Sequence, residues 1–128
     1  MRIKLTEIKD SGVLEKERFV FKVLQSGNLG IYMVATSKEI AENTFSSDVK
    51  NLYWLPDQEI KEGDLVVLYT KKGKKNSTVN KDGSTTYFYY WGLTESLSIV
   101  EKKCVILFES TWRVIYTAKG KEENNDTL

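Results

Sequence analysis

The 128-residue chain has no histidine, one cysteine and one proline. It also has no apolar run of the roughly 18 residues that a membrane-spanning helix needs. Without histidine there is no Ser-His-Asp or Cys-His relay, no imidazole ligand for a metal, and none of the usual general base near neutral pH. The lone Cys104 excludes an internal disulfide and a structural zinc set, and within "CVILF" it reads as a small buried residue. Neither sign of charge is in excess: 19 basic against 18 acidic residues leave a net charge of +1. No global field therefore draws the protein to nucleic acid or to a membrane, and any such attraction must come from a local patch. The first residues, "MRIKLTEIKDSG", alternate charged and apolar side chains where a signal peptide would be uniformly apolar, so a cytoplasmic protein without membrane contact is expected. No pair of acids stands at a spacing that separates it from solvated surface. Neither enzymatic activity nor a cofactor is expected. Glu59, Glu62 and Asp64 around Gly63 lack the spacing of a calcium loop and read as a turn.

What the chain does have is period-two alternation broken by turn residues, the pattern of antiparallel β structure. "ERFVFKVL" is the clearest case, with Phe19, Phe21 and Val23 on one face and Arg18 and Lys22 on the other. Similar runs start at Ile3, Leu29, Asn51, Leu65, Thr85, Cys104 and Thr111. Residues 37–50 are polar and read as a loop or a single helical turn. The segment 119–128, "KGKEENNDTL", lacks apolar residues before its last and is expected to be a disordered tail behind one domain at 1–118. Many short strands with one core must stack or close, so an all-β, immunoglobulin-like antiparallel β-sandwich is predicted, with an open β-barrel as the alternative. Trp54 and Trp112 are expected to anchor the core.

The stretch from Leu65 to Leu93 carries the strongest candidates for function. Two aromatic-rich runs flank a polar hairpin connection that holds Lys71, Lys72, Lys74, Lys75 and Lys81. Clustered lysines can neutralise phosphates. No arginine joins them to give bidentate recognition, and the same charges would keep a strand edge soluble. Gly73-Lys74 lacks the earlier glycine of a phosphate loop. In "TTYFYYWG", alternation puts Tyr87, Tyr89 and Trp91 on one face and Thr86, Phe88 and Tyr90 on the other. Tyr87 and Tyr89 are therefore candidates for a stacking platform beside the lysines.

The order "WLPDQEIKEGDLVVLYTKKGKKN", "FYYWGL" and "CVILFE" resembles the lamin-tail domain family, including its small bacterial members. The matching residues are Trp54, Pro56, Asp57, Gly63, Val66, Val67, Tyr69, Thr70, Tyr90, Trp91, Gly92 and Leu93, with Leu107 in the closing strand. The resemblance implies an immunoglobulin-like sandwich and a non-catalytic protein-interaction or scaffolding role. Pro56, Gly63, Tyr90, Trp91 and Gly92 would then be structural, with Gly92 permitting a tight turn and Trp91 plugging the end of the sandwich. The expected partner is another protein. The alternative is weak binding of nucleic acid or another anionic ligand through the Lys71–Lys81 loop. Where the family commonly places a second tryptophan and a Gly-Asp turn, this chain has Ser98 and Lys102-Lys103, so residues 97–103 depart from the pattern.

Overall fold

In the computed structural model, which describes residues 1–124, the alternating runs become short strands: β1 Ile3–Lys9, β2 Arg18–Val23, β3 Gly27–Asn28, β4 Tyr32–Ala41, β5 Thr44–Phe45, β6 Lys50–Trp54, β7 Glu59–Ile60, β8 Leu65–Tyr69, β9 Asn76–Val79, β10 Thr85–Tyr90, β11 Lys103–Glu109, β12 Arg113–Thr117 and β13 Gly120–Asn124. Among the described residues the only helical element is one 3₁₀ turn, Leu29–Ile31, capped by the Asn28 side chain, which accepts from Gly30 N at 2.7 Å. The strands form a β-sandwich. A five-stranded sheet in the order β1-β2-β8-β10-β9 faces a smaller sheet in which β4 is flanked by β11 on one side and by β6 and β5 on the other.

Inward residues from both layers meet in one core. Ile3, Phe19, Phe21, Val23, Val66, Leu68 and Tyr89 come from the large sheet, and Tyr32 and Val34 from the small one. Trp91 leaves β10 and lies between Phe19 of one sheet and Tyr53 of the other, with ring centroids 6.2 and 5.6 Å away. Gly92 then turns the chain at φ 84°, a region that an L side chain enters only with strain. Gly63 does the same at φ 93° in the turn before β8. Pro56 follows the buried Leu55, whose N–H makes the last bond of that strand to Tyr32 O at 3.0 Å. It ends the strand because it has no donor to continue it.

The small sheet and the termini differ from the sequence expectations in four places. β4 runs ten residues and reaches Ala41, so the polar segment at 37–50 holds strand and hairpin where a loop or helical turn was expected. Residues 120–124 pair with β12 where a disordered tail was expected, and the rest of that tail lies outside the described residues. Trp54 and Trp112 are 45% and 57% exposed and anchor no core. On β6 the pleat sends Tyr53 inward and Trp54 outward, where its indole N–H bonds Gly30 O and Arg113 stacks on its ring. Cys104 lies half-exposed on the outer side of β11, because Val105 and Leu107 take the inward positions.

One buried acid holds the end of the sandwich together. Glu17 is 0% exposed. Its Oε1 accepts from Thr70 Oγ1 at 2.6 Å and Leu97 N at 2.7 Å, and its Oε2 from Gly12 N, Ser98 N and Ser11 Oγ at 2.9, 3.0 and 3.3 Å. Ser11 Oγ in turn accepts from Ile99 N at 2.7 Å. The β1–β2 turn, the end of β8 and the connection between β10 and β11 are thus tied to one side chain, which sets residues 97–99, while Lys103 N closes the following turn on Val100 O. Burial pushes this carboxyl upward, but the hydrogen bonds from Thr70, Gly12, Leu97 and Ser98 outweigh it and leave Glu17 below its ordinary pKa.

Glu17→Gln keeps the shape but turns an amide donor toward groups that are themselves donors. We expect it to destabilise the fold by about 3 kcal/mol. The pKa is lower folded than unfolded, so the ionised group stabilises above its unfolded value, and that contribution disappears as pH falls through the folded value. Urea titrations across the acidic range should show this loss in the unmodified protein, and Glu17→Gln should lack that component.

Candidate binding face

The five-stranded sheet has an outer face that is far from polar. β8 is central and its register sets the rows. Tyr69 stands opposite Arg18 of β2 and Tyr90 of β10, and Val67 stands opposite Val20 and Phe88. Because Val66 and Leu68 point into the core, Val67 and Tyr69 must point out, and they carry Phe88 and Tyr90 with them. The Tyr69 and Tyr90 rings stack with centroids 5.4 Å apart and planes 11° from parallel. Arg18 and Lys71 sit over the Tyr69 ring at 5.8 and 5.2 Å. Arg18 is held there by Asp10 at 2.9 Å and by the Lys16 carbonyl at 2.7 Å. Asn76 of β9 donates to the Tyr90 hydroxyl at 3.2 Å and closes the row. Tyr69, Phe88 and Tyr90 all remain half-exposed.

The lysines reach this face through a crossover, and the expected hairpin between β8 and β10 is not formed. Those two strands are parallel neighbours, an exception to the antiparallel pairing expected throughout. The chain leaves β8, passes over the end of β10, returns as β9 at the sheet edge, and only then enters the middle as β10, antiparallel to β9. The crossover lies on the outer side. Gly73 crosses the Tyr90 ring so closely that a Cβ there would overlap it. Lys71 O and Thr70 O accept from Gly92 N and Leu93 N at 3.2 and 3.0 Å, which pins the strand exit under the loop.

This path divides the lysine cluster. Lys71 lies over the Tyr69 ring and Lys72, Lys74 and Lys75 are exposed, but Lys75, one residue before the outward-facing Asn76, lines a cavity with Gln58, Tyr87 and Tyr89 on the other face. Lys71 pairs with Glu15 at 3.7 Å. Lys81 lies in the β9–β10 turn at the other end of the strand, about 17 Å away at the rise of a β-strand. It does not belong to the same patch.

The two tyrosines expected to form the platform belong to the other face. Tyr89 is 4% exposed in the core, and its hydroxyl is pushed up to about 12, first by burial and then by Tyr53 and Tyr87. Tyr87 is half-buried against the core, with its hydroxyl 3.5 Å from Glu59 O. Alternation had sorted the residues into the right two sets, but the uncovered set is Phe88 and Tyr90. Tyr69, Phe88 and Arg18 were missed as site residues. The signal for Tyr69 was its place at the end of the β8 pattern, and Arg18 could be found only from the register.

The acids near Gly63 have another use. Asp64 is buried, accepting from Lys61 N and Thr85 N at 2.9 Å each, and so closes its own turn and starts β10. Among the described residues, no three histidine, cysteine or carboxylate side chains converge as a metal site. No described helix is long and apolar enough to cross a membrane. No family model matches the chain, and no curated protein matches it.

Gly73→Ala tests the close crossing. The added methyl must lift the loop off Tyr90, and we expect a loss of about 1–3 kcal/mol in urea titration. Lys74→Ala, at an exposed position in the same loop, should stay within about 0.5 kcal/mol.

Proposed function

We propose that the protein is a non-catalytic protein-interaction module of lamin-tail type, acting in the cytoplasm and docking a partner on the outer face of its five-stranded sheet. The observation that carries this reading is the row Arg18–Tyr69–Tyr90, with Phe88 beside it, held half-open on a rigid sheet. Aromatic rings and arginine supply most of the energy at protein interfaces, since they bury large areas with few torsions to freeze. The cations over Tyr69 are paired with Asp10 and Glu15, so the face offers a partner aromatic surface rimmed by both signs of charge. The lamin-tail part of the reading rests on the sequence resemblance that Gly63, Trp91 and Gly92 help to carry.

A second reading has its own support. Lys71 sits over Tyr69, and the exposed Lys72 and Lys74 flank Gly73 where it crosses Tyr90, an arrangement that also suits nucleic acid or another anionic ligand.

Affinity capture from the source cell with the intact protein and with Tyr69→Ala should retain a specific partner only on the former, with binding weakened about tenfold or more in the variant. A mobility shift with single-stranded oligonucleotides at low and moderate salt should be negligible and indifferent to alanine at Lys71, Lys72, Lys74 and Lys75. A steep salt dependence that vanishes in that variant would establish the second reading instead.

A further inference from the structure

A sandwich with open sheets has edges, and three of the four here are blunted. β1 is interrupted by a bulge between Leu5 and Glu7 and carries Lys4, Glu7 and Lys9. β9 is four exposed polar or small residues flanked by Lys74, Lys75 and Lys81. β6 and β5 are short, and their pairing with β4 is irregular. Bulges, lysines and brevity are the ways in which β proteins prevent unwanted strand addition. β11 has neither a bulge nor brevity, and its one lysine, Lys103, stands at its first residue. Its seven residues, "KCVILFE", pair with β4 without a register shift, and its five central side chains are apolar and all half-exposed.

The hydrogen-bond parity of this strand is settled by its ends. Glu39 N bonds Lys102 O at 2.6 Å and Ser110 N bonds Ile31 O at 2.7 Å, so the even-numbered residues of β11 face β4. The N–H and C=O groups of Val105, Leu107 and Glu109, together with the carbonyl of Lys103, therefore point away from the sheet. Lys103 N is used by the preceding turn, donating to Val100 O at 3.0 Å.

We propose that β11 is a homodimerisation strand, pairing antiparallel with β11 of a second copy across a two-fold axis at Ile106. The sequence is complementary to itself in that register alone. Val105 stands opposite Leu107, Cys104 opposite Phe108, and Lys103 opposite Glu109 at both ends, while Ile106 meets Ile106. The outward-pointing backbone groups are the ones that this register pairs, giving about six inter-chain hydrogen bonds. A slip of two residues keeps the backbone parity but places Lys103 opposite Leu107 and leaves Glu109 without a cation. The Lys103 ammonium, which donates to Leu97 O within one chain, turns to Glu109 of the second copy, and the charges thus choose the register. The two small sheets become one continuous sheet, and the outer side chains Cys104, Ile106 and Phe108 of each copy cover one another. The surface so joined is smaller than a standard interface, which implies a dimer that dissociates on dilution. It leaves the Tyr69–Tyr90 face free.

Sedimentation equilibrium of the intact chain should show a monomer–dimer equilibrium. Lys103→Glu or Glu109→Lys alone puts like charges opposite each other twice per dimer and should weaken association roughly tenfold or more. The double exchange should restore it. Ile106→Cys in a Cys104→Ser background keeps both charges and should form an inter-chain disulfide on mild oxidation, since the two residues face each other across the axis at bonding distance. A chain that stays monomeric at its highest soluble concentration, a dimer indifferent to the single exchanges, a double exchange that fails to reassociate, or a cysteine variant that does not cross-link would each overturn the proposal.

Discussion

The rest of the structure depends on a buried carboxylate that pairs with no cation among the described residues. Glu17 has both oxygens occupied by five protein donors drawn from three separate segments, and dipoles alone carry its charge. Such a site demands geometry. Gly12 and Ser98 both adopt positive φ, 97° and 49°, in the segments that bring their N–H groups to the carboxylate. The long connection between β10 and β11 has no ladder of its own, so its route past the end of the sandwich is set by the bonds of Gly92 and Leu93 at its start and by Glu17 at its middle. Trp91 sits just before that connection, and its wedge between the sheets is kept in place by the tie behind it.

The parallel pair of β8 and β10 has a comparable influence on function. Parallel alignment puts Tyr69 level with Tyr90, and Val67 level with Phe88, so four bulky residues form one contiguous outer patch. An antiparallel hairpin would have reversed β10 and separated the two tyrosines. The crossover that makes the parallel arrangement possible also carries Lys71, Lys72 and Lys74 past that patch. The aromatic and cationic parts of the face thus share one topological cause.

Much of the sandwich was legible from residues 18–23 and 65–70, where alternation and an unbroken apolar run mark a half-buried strand and a central one. The separation of Tyr87, Tyr89 and Trp91 from Phe88 and Tyr90 was equally plain. Which set lies outside was not, because period-two alternation is symmetric between faces and only the register with β8 breaks that symmetry. The lysine segment misled for a related reason. A polar stretch of that length fits a hairpin loop as well as a crossover with an exposed edge strand inside it, and Asn76–Val79 has too little apolar character to declare itself. Glu17 was silent in the sequence, since its partners lie as far away as Ser98 and nothing local distinguishes a buried acid from a surface one. Trp54 shows that size and hydrophobicity do not decide direction, since the pleat of β6 turns it outward, and Trp112 lies in the connection before β12.

The order in which β8, β9 and β10 occur along the chain has a consequence for how the molecule is made. β8 and β9 are antiparallel, close in sequence and complete before β10 exists, yet in the finished sheet they do not touch, because β10 lies between them. A growing or collapsing chain can close them directly into a hairpin, the faster event because its loop is short. That hairpin uses the hydrogen-bonding edges that β10 must occupy. The native sheet then forms only when the hairpin opens again to admit its middle strand. The topology that assembles the aromatic face thereby carries a kinetic competitor within it, and the close passage of Gly73 over Tyr90 can form only after that competitor has been undone.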